Sequence, residues 1–130
     1  AIRLADPCII NGRKVLALTE GIETALAVVA AFHLPVWSCY STELLKTVEI
    51  PSDVQAVHIF ADNDFKNSAG LLAAEHCAQR LREKGVEVKI FLPQLVDGMA
   101  AGKGVDWLDV YNYNPLVMRE QVRQQIVVGL

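Results

Sequence analysis

Residues 57–68 read Val57-His58-Ile59-Phe60-Ala61-Asp62-Asn63-Asp64-Phe65-Lys66-Asn67-Ser68. With Ala56 in front, the apolar members of this run have the character of a buried strand that stops abruptly in two carboxylates one residue apart. Asn67 and Ser68 then stand ready to cap a helix. Side chains of an extended segment alternate between faces, so Asp62 and Asp64 are expected on one side and Asn63 on the other. Two like charges held together raise each other's pKa unless a cation lies between them. Magnesium takes one or two carboxylates and completes its shell with water and phosphate oxygens, which suits such an acidic step at a strand end. A solvated acidic loop that caps a helix is the other reading of an isolated Asp-x-Asp.

On the N-terminal side, Val15-Leu16-Ala17-Leu18 is a continuous apolar run of the kind found in strands covered on both faces. It ends at Thr19-Glu20-Gly21 and leads into a helical pattern of Ile22, Ala25, Leu26, Val29 and Ala30, which must finish before Pro35. Pro7 to Ile10, Asn11-Gly12 and Arg13 to Thr19 have the pattern of a hairpin. If its second arm is a central parallel strand, the hairpin has room only beyond the end of the sheet. Pro35 to Tyr40 forms a short strand candidate containing Trp37, Thr42 to Thr47 a short helix entered through Ser41 or Thr42, and Pro51-Ser52-Asp53 a turn.

On the C-terminal side, a helix is expected from about Ser68 to Lys84. Leu71, Leu72, Ala74, Ala78 and Leu81 would face the sheet, Glu75, Arg80, Arg82 and Glu83 would face water, and Gly85 would stop it. Val86, Val88, Ile90 and Leu92 alternate with Glu87 and Lys89, as in a strand near a sheet edge. A small-residue loop from Gly98 to Gly104 precedes Asp106-Trp107-Leu108-Asp109, and Asn114-Pro115 opens a final helix to about Val128 that packs here or leads into another domain.

The 130 residues are enough for one domain with a real core, and 52% apolar against 21% charged residues excludes a disordered chain. No apolar stretch is long enough to span a membrane and no signal-peptide pattern is present, so a cytoplasmic protein is expected. Cys8, Cys39 and Cys77 are odd in number and widely spaced, and read as small core residues in a reducing compartment. His33, His58 and His76 are isolated and read as packed or surface residues. The net charge of −3 argues against nucleic acid, yet six acids of 15 (Glu20, Glu23, Asp62, Asp64, Asp106, Asp109) fall at one candidate locus, and the 12 basic residues outnumber the rest, so the global charge decides little. The chain begins at Ala1, as expected after loss of the starting Met or in a piece of a longer protein.

Alternating strands and helices imply a mostly parallel sheet wrapped by helices, with ligands bound outside the carboxyl ends of the strands where the strand order reverses. An order of 2-1-3-4 for the four main strands would bring Glu20 to the Asp62/Asp64 pair. It would also aim the positive end of the helix beginning near Gly21 at the same crevice, where it can attract a phosphate that Gly21 lets approach closely.

Thr19-Glu20-Gly21 followed by Ile22-Glu23-Thr24-Ala25-Leu26, then Ala61-Asp62-Asn63-Asp64, then Asp106-Trp107-Leu108-Asp109 together resemble a Toprim domain, most closely that of plasmid and phage DNA primases and primase-helicases. The family also includes replicative primases, type IA and type II topoisomerases and some nucleases. The resemblance runs from about Lys14 to Val110 and implies a compact, Rossmann-like α/β fold with a central, mostly parallel four-stranded sheet flanked by helices. On this reading 1–13 is an N-terminal extension or edge hairpin, 14–112 the Toprim domain and 113–130 a C-terminal helix.

The resemblance implies a metal-dependent nucleotidyltransferase, part of a longer chain, that makes RNA primers on single-stranded DNA from nucleoside triphosphates. Helicase and zinc-binding domains are then expected in the same or a partner chain. Glu20 would be the general base or acid at a hydroxyl, and Asp62, Asp64 and Asp106 would bind Mg²⁺ or Mn²⁺ with Glu23 and Asp109 as further acids. Gly21, Lys66 and Lys103 would contact phosphate or nucleic acid, although Lys66 also reads as a surface lysine beside a helix cap. Replicative primases carry an aspartate four residues after the glutamate, where this chain has Thr24; Glu23 points about 100° away on a helix. Val105 and Leu108 stand where related primases often have Lys and Asn. A Toprim nuclease or topoisomerase and a non-catalytic nucleic-acid-binding or interaction module are the alternatives. A haloacid-type phosphatase or a receiver domain would need its acids at the end of the first strand.

Overall fold

The computed structural model describes residues 1–99, 102 and 104–128, and Lys103 lies outside them. The chain opens on β1 (Ile2–Arg3) and β2 (Cys8–Ile10) and turns at Asn11-Gly12 into β3 (Arg13–Thr19). Then come α1 (Ile22–Phe32), β4 (Val36–Ser38), α2 (Thr42–Thr47), β5 (Ala56–Phe60), β6 (Asn63–Asp64), α3 (Ala69–Glu83) and β7 (Glu87–Phe91). Last are β8 (Gly104–Val105), α4 (Trp107–Tyr113) and α5 (Pro115–Val128).

The main sheet has the order β1-β4-β3-β5-β7, with β4, β3, β5 and β7 parallel and β1 antiparallel on the outer edge of β4. The four parallel strands therefore follow the expected 2-1-3-4 order, with the reversal of direction across the sheet falling between β3 and β5. The hairpin exists as well. Asn11 and Gly12 both have positive φ, 52° and 82°, the twist that a two-residue hairpin turn requires. It coexists with a central β3 because β2 pairs with Arg13 to Val15 while β4 takes over the same flank only from Ala17 to Thr19.

Alternation along the strands splits the core in two. Leu16, Leu18, Val57, Ile59 and Val88 face α2 and α3, where Leu45, Cys77 and Leu81 meet them. Ala17, Phe60 and Phe91 face α1, α4 and α5, where Val28, Trp107, Met118 and Val122 close the other layer. Phe60 stacks on Phe91 at 5.0 Å between centroids and takes the edge of Trp107 at 5.8 Å.

Several side chains lie elsewhere than the periodicity suggests. Leu26 is 55% exposed and Leu72 59%, while Thr24, Ala25, Ala27, Val28 and Ala31 of α1 and Ala73, Ala74, Cys77, Ala78 and Leu81 of α3 are buried. Both helices seat their small residues, which allows close approach to the sheet, and α1 is apolar almost all round, so its pattern does not select a face. Arg80 does not face water: its guanidinium donates to the Lys46 and Val48 carbonyls at the end of α2, at 2.9 and 2.8 Å. Arg82 donates to Val88 O. Cys39 and Cys77 are buried, but Cys8 is exposed on the hairpin.

Helix ends follow the sequence closely. Ser41 caps α2 through Leu44 N–H, and at the end of α3 Gly85 (φ 87°) and Val86 donate to Arg82 O and Leu81 O in a Schellman arrangement. Helix α4, not foreseen as an element, follows from the Asp106 cap described below. Helix α5 packs against α4, α1 and β7. Its Gln125 pairs with both N–H and C=O of Leu92, and Gln121 with both of Gln94, so two side-chain amides occupy backbone groups that β7 would otherwise leave open beyond its end. Among the described residues, no helix is long and apolar enough to cross a membrane.

Candidate active site

The parallel register of β3 and β5 pairs Thr19 with Phe60, so Glu20 leaves one strand beside the point where Asp62 leaves the other. The Glu20 backbone is pinned there: its carbonyl accepts from Tyr40 N–H at 2.6 Å and from Ser38 Oγ at 3.3 Å. The first turn of α3 closes underneath. A Cβ at Gly70 would lie 3.6 Å from Glu20 Oε2 and 3.9 Å from Asp62 O, so one glycine touches both acidic segments. Burial pushes the Glu20 carboxyl above its usual range.

Asp62 is the most perturbed acid of the site. Burial raises its carboxyl from 3.8 to about 6; a hydrogen bond from Thr24 opposes the rise, and the Asp106, Glu20 and Asp109 carboxylates add to it. The Thr24 hydroxyl donates to Asp62 Oδ1 at 3.1 Å from a side chain that is itself buried. Thr24 therefore grips one acid from the first turn of α1. Asp64 lines the same cleft, but its Oδ1 accepts from the backbone N–H groups of Lys66 and Asn67, at 3.0 and 3.2 Å. Asn67, rather than Ser68, then receives Ala69 N–H at the start of α3. Asp64 is thus partly committed to shaping the loop. The charges that act on Asp62 come from across the cleft.

Those charges arrive through a two-stranded ribbon. β6 pairs with β8, Asn63 opposite Val105 and Asp64 opposite Gly104, which brings the segment before α4 against the end of β5. The approach needs glycine: a Cβ at Gly104 would sit 2.4 Å from Asn63 O and 2.8 Å from Asp64 Cα. Just beyond, Asp106 Oδ1 accepts from Asp109 N–H at 2.7 Å and Asp109 Oδ2 from Asp106 N–H at 3.0 Å, a reciprocal capping box that starts α4. Val105 and Trp107 are buried and anchor the turn, which leaves the two carboxylates at the rim. Burial pushes Asp106 up, the Asp109 amide pulls it down, and the Asp109 and Glu23 carboxylates add to the rise. Glu23 thereby joins the locus from the first turn of α1.

The cleft lined by Asp62, Asn63, Asp64, Gly104, Val105, Asp106 and Asp109 measures about 190 Å³. A larger groove of about 700 Å³ along α5 is lined mainly by glutamines and apolar groups and carries Glu120 as its ionisable residue. Among the described residues no three His, Cys, Asp or Glu side chains converge tightly enough to hold a metal by themselves, and none of Glu20, Asp62, Asp106 and Asp109 is in an ion pair. An all-oxygen set, partly buried and without a basic partner among the described residues, fits a hard divalent cation that takes one or two carboxylates and completes its shell with water and phosphate. It does not fit a closed protein cage.

Gly21 is the N-cap of α1 in an extended conformation, and a Cβ there would meet nothing within 4 Å. The fold itself does not require a glycine at this position. Lys66 is exposed in the loop after Asp64, and Lys103 lies outside the described residues. Thr24, Gly70 and Gly104 were not singled out as site residues from sequence. The Gly98 to Gly104 loop carried a signal for Gly104, since a glycine two residues before an acidic step marks a close backbone approach. Gly70, inside a helical pattern, was an oddity of the same kind.

A family model described as Toprim domain matches residues 15–113. No curated protein and no solved structure matches the chain.

Proposed function

The chain belongs to the Toprim family, and from that membership we propose that it is the metal-dependent catalytic module of a DNA primase, within a longer replication protein of the plasmid or phage type. The supporting observation is the gathering of Glu20, Asp62, Asp106 and Asp109 at the carboxyl edge of β3 and β5, with Asp62 raised to about 6 by burial and by its acidic neighbours. A site that draws in carboxylates with no ion pair to them among the described residues is suited to receive cations and, with them, phosphate. Asp62 and Asp106, with Asp64 beside them, would hold Mg²⁺ or Mn²⁺, which when bound neutralises phosphate charge.

The chain's own groups do the rest. Glu20, made more basic by burial, takes the proton of a primer 3′-hydroxyl as that oxygen bonds to the α-phosphorus of a nucleoside triphosphate and pyrophosphate leaves. Thr24 holds the Asp62 carboxylate in one orientation. Gly21 at the start of α1, Lys66 and Lys103 are assigned to phosphate or strand contacts. Single-stranded DNA is the template, and zinc-binding and helicase domains of the same or a partner chain present it.

The test uses the longer parent chain. Metal-dependent primer synthesis on single-stranded DNA is expected, with residues 1–130 alone giving little or none. Glu20→Gln should abolish synthesis while fold and DNA affinity persist. Nicking of supercoiled DNA without nucleotide incorporation would instead identify a nuclease or topoisomerase. Equal priming by wild type, Glu20→Gln and Asp62→Asn would make the domain a binding module.

A further inference from the structure

Tyr40 has a backbone and a surface position that the fold does not explain. Among the described residues, three non-glycine residues have positive φ: Asn11, His33 and Tyr40. Asn11 sits in the hairpin turn and His33 is the left-handed C-cap of α1, both positions where this conformation is ordinary. Tyr40, at φ 80°, is in neither setting. It links β4 to Ser41, the N-cap of α2, and the backbone on each side is tied down. Cys39 N–H donates to Thr19 O at 2.7 Å, Tyr40 N–H to Glu20 O at 2.6 Å, and Ser41 Oγ receives Leu44 N–H at 3.2 Å. Glycine would adopt this conformation without strain.

The side chain present instead is a large ring, and it is 74% exposed. The ring adds little to the core and sits on backbone that disfavours it, whose N–H donates a hydrogen bond to the Glu20 carbonyl. Because β4 neighbours β3 in the sheet, the row along the carboxyl edge runs Tyr40, Glu20, Asp62. An exposed aromatic face held beside a phosphate-handling cleft matches a nucleobase, whose π-face stacks on tyrosine independently of sequence.

Resting on the nucleic-acid reading of this site, we propose that Tyr40 is a base-stacking platform, taking the nucleobase of a strand or nucleotide that occupies the cleft beside Glu20 and Asp62. The left-handed backbone is what turns the ring toward solvent while Glu20 stays pinned.

Binding of two probes, a fluorescent oligothymidylate and Mg-ATP, should be measured for wild type, Tyr40→Phe and Tyr40→Gly. Glycine suits the backbone, so Tyr40→Gly should melt no lower than wild type, which separates loss of the ring from loss of the fold. Tyr40→Phe should bind within about twofold of wild type, and Tyr40→Gly should lose about tenfold on at least one probe. Loss on the oligothymidylate places the ring on the template strand, and loss on Mg-ATP places it on the incoming nucleotide. Unchanged affinity of Tyr40→Gly for both probes, or no binding of either by wild type, overturns the proposal, including the case where the ring serves only a contact with another protein domain. Binding does not depend on turnover. A parent chain that makes no primers while Tyr40→Gly loses affinity leaves the platform standing and the primase reading fallen, whereas normal priming with unchanged Tyr40→Gly affinity does the reverse.

Discussion

Among the acids of the cleft, the half-buried Asp62 carboxylate carries the largest pH-dependent contribution to the stability of the metal-free chain. Asp62 holds its proton up to about 6 in the folded state, whereas the unfolded chain releases it near 3.8. Between those values the folded state binds more protons, so stability falls as pH rises through the window and stays lower above it. Asp62→Asn removes the charge and keeps an acceptor for Thr24. It should therefore raise the metal-free melting temperature at pH 7, by up to about 3 kcal/mol in stability, and have little effect near pH 4. Melting curves at the two pH values without metal check this, and a gain of the same size at both would show that the carboxylate is not strained. Thr24 works in the opposite direction. Thr24→Val keeps the volume but removes the donor, so Asp62 should hold its proton to higher pH and the pH midpoint of Mn²⁺ binding should rise by about one unit, the equivalent of one charged hydrogen bond. A midpoint that stays put in titration calorimetry would mean that Thr24 is only a buried helix residue.

Two short elements do more for the site than their length suggests. β6 and β8 are two residues each, yet their pairing brings Asp106 and Asp109 to the end of β5, a juxtaposition that otherwise depends on an irregular loop. Gly104→Ala would set a methyl against Asn63 O and Asp64 Cα, both backbone, and neither can swing aside. The expected result is a ribbon that opens, a fold that survives with about 1–3 kcal/mol lost, and a Mn²⁺ affinity reduced at least tenfold. Calorimetric titration beside a thermal melt separates the two effects, and unchanged metal affinity would remove Asp106 from the site. This is also where reading from sequence stopped short. The strand ends at Glu20 and Asp62 were legible because long apolar runs stop there. The ribbon was not, because two-residue strands have no periodicity, and the Asp106/Asp109 pair looked purely acidic although each carboxylate also receives a backbone N–H at the start of α4. The sheet-facing set of α3 differs from the sequence pattern at Leu72 for a related reason: Ala73, Ala74, Cys77 and Ala78 let the helix approach the sheet closely and leave Leu72 outside.

Across the whole molecule, charge and cover are unevenly distributed. The acids collect at the carboxyl edge, while much of the basic side-chain chemistry is engaged elsewhere. Arg13 pairs with Glu87 and Lys14 with Asp53 at the opposite end of the sheet, and Arg80 and Arg119 hold the carbonyl ends of α2 and α1. Among the described residues, Lys66 stands exposed beside the cleft, in the loop after Asp64. The same view bears on where the domain ends. The final helix, expected to pack here or to lead into another domain, packs here: α5 buries Met118 and Val122 over the Phe60–Phe91 layer, and its Arg119, Gln121 and Gln125 satisfy backbone groups of Ala31, Gln94 and Leu92. Two buried side chains at about 1.5–3 kcal/mol each, with the Phe60–Phe91 layer beneath them opened to water, are a large share of the stability of an ordinary domain, about 5–15 kcal/mol. A chain ending at Asn114 should therefore lose cooperative melting and near-UV circular dichroism and bind hydrophobic dye, while Gln121→Ala with Gln125→Ala in the intact chain lowers stability without abolishing the fold. If the chain ending at Asn114 melts cooperatively at the temperature of the intact one, α5 is an accessory and the working core ends before it.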